Sequence, residues 1–536
     1  MKKNNLKMIL MIILTAFSVS CKRAADIHIN SNVKFTFYSS DLTEVEYFDD
    51  PIANEITKRT GVTLDFVMPR GNNSEEISMM IVNNSYPDLI FAKSDLSKLI
   101  AAKAVIPLDS YIEKYGQNMK KFYGDQLVKL RYSLEDPSIY TVGTYEIKNK
   151  VYETSGNMQI QNAVLKEFGY PKISTLDDYE NLLKAYIKKY PEINGHKTIG
   201  LSLLTDDWYW YVGFSNPGNY VIGYADDGQW IVDESTMKAT YKYLYPEMKI
   251  FYKWLNKIYH EGLLDPESFT QNYNLWKTKL SSGYVLGTTF PLWSITDIQK
   301  ELEQSGMVER SFAYLPITAS KKYKDPSLKD YGYSGGWGIA ISADCKDPER
   351  AFKFLDWMCS EEALILTNWG FEDKDYYYDS YGIRRSSSID SKENGIGHWI
   401  YPFPEPGTGY LDSTGNPFAK NQKIQIMAKY NYVEKETLKA YGAEMWCDLF
   451  PSAEELGVSQ HGQIWQYPLD EKNTAIIEAA DTYVKKSLID MVVGSESDFD
   501  GAWSNMQTKL RTMGVEEAGQ YVTDLIQAKK KLWSLK

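Results

Sequence analysis

Trp208-Tyr209-Trp210-Tyr211 is a run of four consecutive aromatic residues inside the polar segment DDWYWYVGFSNPGNY, and it suits non-covalent chemistry. Flat indole and phenol rings bury apolar area while their N–H and O–H groups keep a polar handle, and the apolar faces of sugar rings are natural partners. Four neighbours cannot all point one way in regular structure. At least one should face outward while others pack inward, and Trp208 and Trp210 are the candidates for the outward positions. Asp41 ends the loop Tyr38-Ser39-Ser40-Asp41 behind a strand. Its carboxylate can accept paired hydrogen bonds from vicinal hydroxyls, or it can cap the next segment as a turn residue. Trp337 opens a strand after Gly335-Gly336, whose small size leaves room for a ligand, and Gln159 and Gln161 alternate outward along another strand. Trp369, at a helix end, is equally suited to a core.

Covalent chemistry finds less support. Gly332-Tyr333-Ser334-Gly335-Gly336 matches G-x-S-x-G, but a nucleophile elbow needs a strand before it and a helix after it. Here a polar loop precedes and a strand follows. The five histidines show neither HExxH nor close pairing, so no zinc site is expected. Asp373, Asp375 and Asp379 lack the loop glycine and terminal Glu of an EF-hand, so no metal is assigned there. No G-x-x-x-x-G-K-[ST] occurs, so any ATP hydrolysis belongs to a partner. Cys345, Cys359 and Cys447 are odd in number and form no CxxC, and read as small buried hydrophobes.

The elements that must position these residues alternate. Val33–Tyr38 reads as a strand, Pro51–Arg59 as a helix stopped by Gly61, then Val62–Met68 as a strand, Ser74–Asn83 as a helix and Leu89–Ala92 as a strand. Thr175 with Asp178 forms a capping-box pattern opening a helix through Tyr186. Strands at Ile199–Leu203, Val285–Thr289 and Trp337–Ser342 alternate with helices at Leu244–His260 and after Asp347-Pro348. The C-terminal region is helical, with Asp498 as a cap and Gly494 and Gly514 as stops, and 386–418 is a Gly/Pro-rich loop. Strands alternating with helices imply an α/β fold with parallel sheets, and 536 residues are enough for two large domains.

Lys2 and Lys3, the apolar run Met8–Phe17, and Ser18-Val19-Ser20 before Cys21 have the order of a secretory signal. The Cys immediately after small residues resembles a bacterial lipobox, apart from Ser18 where Leu is usual. That resemblance implies cleavage before Cys21, a diacylated thiol and a tether over 21–32. Attached chains supply membrane affinity without a transmembrane helix. The composition includes 41 Tyr and 14 Trp, and a net charge of −12 without basic runs argues against nucleic-acid binding.

Several segments, in order, resemble the family 1 extracellular solute-binding proteins, which include the maltose-binding proteins, and most of all the long lipoproteins of Gram-positive bacteria. They are EITKRTGVTLDFV, SYPDLIFAKSDLSKLIAAKAVIPLD, MQIQNAVLKEFGYPKISTLDDYENLLKAY, GGWGIAISADCKDPERAFKFLDWMCSEEALILTNWG, NWGFEDKDYYYD and SDFDGAWSNMQTKLRTMGVEEAGQYVTDLIQAKKKL. The resemblance implies a two-lobed, type II periplasmic-binding-protein-like α/β fold with a hinge and a helical C-terminal extension. One lobe would be 22–145 plus 322–375 and the other 146–321 plus 376–536, after a signal at 1–20. Trp293 stands where the family commonly places a stacking aromatic, and Asp95 in Lys93-Ser94-Asp95 aligns with a loop that supplies a sugar-binding acid, though it can also cap a helix. Near Gln159 and Gln161 the subgroup often has Arg, and the loss of that charge argues against an anionic ligand there.

The implied function is capture of a carbohydrate, an oligosaccharide first, in the interlobe cleft, for delivery to the permease subunits of an ABC importer. The expected protein is a lipid-anchored monomer on the extracellular face of the cell membrane, with no cofactor, no metal and no catalytic residue. A lipid-anchored glycoside hydrolase is the alternative, since it too would carry aromatic platforms and two carboxylates flanking a bond. Asp206, Asp207, Asp226, Asp227, Glu361 and Glu362 are the adjacent acids to weigh, although such pairs are commonly solvated faces. A receptor for peptides or another solute is the second alternative.

Overall fold

The computed structural model describes residues 32–42, 44–70, 73–144, 152–154, 158–387 and 394–534. The expected signal, Cys21 and the tether up to residue 31 lie outside them. Two sheets, each with its own core, make two lobes. In the first, Val33–Ser39 pairs in parallel with Val62–Val67 on one side and with Leu89–Phe91 on the other. Gly338–Ile341 then joins antiparallel to Leu89–Phe91 and to Thr141–Gly143. Both faces of this sheet are covered, which is why Leu89–Phe91 and Gly338–Ile341 are buried throughout rather than alternating. Leu89 and Phe91 face Ile52, Ile56, Phe352 and Leu355, while Tyr38 and Ile90 face Ile77 and Leu99.

Helix starts follow local chemistry. The Asp50 carboxylate accepts from Ala53 N at 2.8 Å ahead of Pro51, and the expected Thr175–Asp178 capping box is formed. The expected Asp498 cap is corrected: a 3-10 turn over Glu496–Asp498 leads directly into Phe499–Thr512, and the Asp498 side chain makes no cap hydrogen bond.

In the second sheet Ile199–Leu201 and Val285–Thr288 run parallel, and Met158–Gln161 lies antiparallel between Val285–Thr288 and Phe312–Leu315. Gly287 is required here, because a Cβ would stand 1.8 Å from the Tyr179 hydroxyl that donates to the Gln159 carbonyl. The outward placement of Gln159 and Gln161 is corrected, since both are fully buried. The face they occupy is sealed by Trp276, Leu280, Ile295 and Ile298 from two helices, so their amides must bond inside the protein. Gln159 donates to Phe290 O at 2.6 Å and accepts from Phe290 N at 3.1 Å, and Gln161 donates to Gly283 O and Val285 O at 3.0 and 2.7 Å.

Trp399 and Phe403 belong to the core of the first sheet, and Trp369 Nε1 donates to Phe418 O at 2.6 Å. Trp399 and Phe403 thus pack with the first sheet, beyond residue 376, where the return to the second lobe was expected. The C-terminal helices Glu471–Val493, Phe499–Thr512 and Val515–Trp533 pack Val484, Leu488, Trp503 and Val522 into the second core. The last of them also reaches the first lobe. Lys529 Nζ donates to Tyr132 O at 2.8 Å and Arg131 O at 3.3 Å, and Lys129 Nζ lies 4.8 Å from the Trp533 ring centre.

The 401–410 loop beside the first sheet carries an energetic cost. Burial alone raises the Glu405 carboxyl to about 7 from an unperturbed 4.5. A raised carboxyl binds its proton more tightly in the folded state, so its contribution is favourable below the unfolded pKa and is lost as pH climbs toward 7. Glu405→Gln is therefore expected to stabilise the fold by on the order of 1–3 kcal/mol at pH 8 and by little at pH 4. Urea midpoints at the two pH values check this, and an equal gain at both would refute it.

Candidate functional site

Parallel strands deliver their carboxyl ends to one edge of a sheet, the usual place for ligands in open α/β folds. In the first lobe the loops after Val33–Ser39 and Leu89–Phe91 hold Asp41 and Lys93. Lys93 adopts a left-handed backbone, φ 51°. Its ammonium pairs with one Asp41 oxygen, and Tyr401 donates its hydroxyl to the other. The same ammonium lies 4.6 Å from the centre of the Trp337 ring, and Tyr401 meets Phe91 edge-on at 5.5 Å. Trp337 in turn meets Trp465 edge-to-face at 4.7 Å. Neighbours of Trp465, Ile464 and Tyr467, belong to the second core, so this contact crosses between lobes. Asp95 is engaged by Lys98 at 2.7 Å.

In the second lobe the chain leaves Ile199–Leu201 toward Trp208 and leaves Val285–Thr288 toward Trp293. Because those strands are parallel neighbours, the two indoles emerge side by side. They stack at 6.0 Å with 18° between planes, and they are 46% and 59% exposed. Behind them the stack continues through Tyr209, 4.3 Å from Trp208, to Tyr273 at 5.1 Å. The aromatic run therefore divides. Trp208 faces out, whereas Trp210 is buried against Tyr211, which corrects its placement as an outward ring. Tyr211 donates to Asp481 at 2.8 Å, and Tyr241 donates to the same carboxylate at 2.6 Å. That carboxyl is pushed up by burial, and its donors pin the inward half of the run. Gln159, though buried, still matters here, since its amide fixes the Phe290 backbone just ahead of Trp293.

The first constellation borders a contact between the two cores. A small cavity of about 30 Å³ is lined by Lys93 and Leu96, by Ser334–Gly336 of the crossing segment, and by Gln466 and Lys529. It has room for about one water and none for a sugar ring. Gly335 is obligatory, because its φ is 66° and a Cβ would stand 1.9 Å from Lys129 O. Ser334 is buried and donates to Gln466 at 2.7 Å, with a strand rather than a helix after it, so the G-x-S-x-G match is hinge packing.

The adjacent acids are mostly engaged. Asp226 is raised by burial and accepts from Asn216 at 2.9 Å, and Asp227 meets His461 at 3.2 Å. Glu361 accepts from Ser413, and Glu362 pairs with Arg59. Asp206 and Asp207 immediately precede Trp208 in the chain. Among the described residues no group of three or more His, Cys, Asp or Glu side chains is arranged to hold a metal ion. Lys93, Tyr401 and Trp465 were not singled out from sequence. Lys93 stood in a loop read only for Asp95, and Tyr401 and Trp465 reach the seam by long-range packing that leaves no local pattern.

A model of the bacterial extracellular solute-binding protein family matches residues 39–365. The fructooligosaccharide ABC transporter substrate-binding protein FusA of Streptococcus pneumoniae serotype 4 is 23% identical over 522 residues, covering 90% of this chain and 88% of the relative. Lipoprotein LipO of Bacillus subtilis is 24% identical over 345 residues, covering 61% of this chain and 64% of the relative. The structure of an S. pneumoniae FusA EF-hand mutant in complex with fructo-nystose superposes with a TM-score of 0.65 at 18% identity, covering 93% of this chain and 99% of that one. At that identity the likeness speaks to the two-lobed fold.

Proposed function

The chain belongs to the bacterial extracellular solute-binding proteins, and from that premise we propose that it captures an oligosaccharide between its lobes and delivers it to the permease of an ABC importer. The stacked, exposed pair Trp208–Trp293 is the observation that carries the reading. Trp293 closes the open end of this stack of rings, and its outer indole face, at the carboxyl end of a strand, is a flat apolar platform that suits a sugar ring. Asp41 and Asp95, with Trp337, would supply the polar and stacking contacts of the opposite lobe. The similarity to FusA, a fructooligosaccharide ABC transporter substrate-binding protein, supports this class of ligand. Capture without catalysis is in keeping with the engagement of Asp226, Asp227, Glu361 and Glu362 in contacts within the protein.

Lobe closure over a ligand is hinge bending between two populated states. On this reading the first lobe is 32–144 plus about 330–418 and the second about 158–329 plus 419–534. Cys21 would carry the lipid that holds a monomer at the outer face of the membrane. Among the described residues no helix is long and apolar enough to cross a bilayer. Labelled palmitate should enter the wild-type chain and not Cys21→Ala, and no incorporation in either would sink the anchor.

Thermal melts against panels of oligosaccharides and peptides test the main reading. A ligand at about 100 times its Kd should stabilise the folded state by about 2.7 kcal/mol. The sugar should then be recovered intact by mass spectrometry. A shift with peptides alone, or shortened sugar products, would overturn the proposal.

A further inference from the structure

Resting on the carbohydrate reading, we propose that the site selects neutral glycans against carboxylate-bearing ones, with Asp41, Asp206 and Asp207 as the residues that set this preference. A uronate carboxylate is recognised by a guanidinium fork or an ammonium with donors to spare. Among the described residues, five cations around the two aromatic constellations are committed to the protein. Lys93 is neutralised by Asp41 and shielded by the Trp337 face. Lys98 pairs with Asp95 at 2.7 Å. Arg131, the guanidinium at the hinge seam, donates to Pro137 O at 2.9 Å. Lys529 donates to Arg131 O and Tyr132 O. On the far side Lys485 lies 3.4 Å from Asp207 O, and Asp206 and Asp207 both act on it electrostatically.

Two carboxylates, Asp206 and Asp207, share the one ammonium of Lys485, so the balance there stays negative. Asp206 and Asp207 sit in the chain immediately before Trp208, so the platform has a negative rim. An anionic sugar stacked there would meet like charge in a partly desolvated crevice, and it would have to strip Lys93 from Asp41 to gain a counter-charge. A neutral sugar meets neither cost. Its hydroxyls can donate to Asp41 and Asp206, both of which are acceptors only when ionised. Specificity then comes from an unfavourable contact with the wrong ligand as much as from attraction to the right one.

The experiment compares neutral gluco-, fructo-, manno-, galacto- and xylo-oligosaccharides with oligogalacturonates and mannuronate or guluronate oligomers of equal length, by melting shift and then calorimetry at low and high salt. At least one neutral oligomer should bind, with affinity nearly independent of salt and at least about tenfold above any uronate. Asp41→Asn, which frees Lys93, should raise uronate affinity severalfold and make it salt-sensitive. Uronate binding equal to or tighter than neutral binding in the wild type overturns the inference and leaves the carbohydrate reading standing. Binding in neither panel overturns both.

Discussion

Arg384→Ala should cost the folded chain about 3–5 kcal/mol, the scale of breaking a buried ion pair by removing one partner. The Arg384 side chain is completely buried. Its guanidinium pairs with Asp412 and donates to Pro417 O and Tyr378 Oη, each at 3.1 Å. It also lies 5.3, 5.4 and 5.5 Å from the ring centres of Trp369, Tyr376 and Tyr378. Removing it leaves a carboxylate without its counter-charge and three rings around a void. Asp412 is itself a hub, accepting from Thr414 N at 2.8 Å and Asn416 N at 2.9 Å. Burial pushes its carboxyl up, and these hydrogen bonds with Arg384 outweigh that effect and hold it below the ordinary carboxylate range. The stabilisation is present above that range and is lost as pH falls through the lowered value. Arg384→Lys should recover little, because an ammonium cannot reproduce the planar fork or its stacking. Urea unfolding checks the loss, and hydrogen exchange over 376–418 should show it concentrated there. An unfolding midpoint within error of wild type would remove Arg384 from this role. Because the same segment carries Tyr401 to Asp41, its loosening should also weaken ligand capture.

The parts of the fold that could be read from sequence are those written by local periodicity. Strands with both faces covered appear as continuous apolar runs, as in Leu89-Ile90-Phe91, and helix starts appear as Asp50-Pro51 and Thr175 with Asp178. Gln159 and Gln161 were misplaced because period-two alternation says which residues share a face and nothing about what covers it. Here the second face is roofed by Trp276 and Ile295, and the polar residues became backbone ligands. Trp208 and Trp210 are equivalent in sequence. They are separated by a tertiary event, the Tyr211–Asp481 hydrogen bond between segments 270 positions apart. The same reason hides Tyr401, Trp465 and the Arg384 hub, whose partners come from distant chain segments. Residues after strands were legible because topology places strand ends together. Residues that arrive on long loops were not.

On the proposed function, Trp293→Ala should weaken oligosaccharide binding by about 1–3 kcal/mol, roughly 5- to 160-fold in Kd, with little change in the melt of the free protein. The second half of that expectation follows from exposure. An indole that is 59% exposed leaves no enclosed cavity behind it, so its removal costs affinity and not the fold. Trp208→Ala should behave similarly, but the two losses should not add. Each indole braces the other at 6.0 Å, so losing one already frees its partner to leave the platform, and the double variant should lose less than the sum. Trp210→Ala supplies the contrast. Its ring is 5% exposed, so truncation should cost about 3–5 kcal/mol of stability and leave the affinity of the folded fraction nearly unchanged. Calorimetry with the tightest ligand, beside denaturant melts, separates the two signatures. Additive losses for Trp208 and Trp293 would mean that the rings act at separate subsites. Unchanged affinity in the Trp293 variant would dismantle the stacked platform as the place where the ligand rests, because no other described pair of indoles is both parallel and open to solvent.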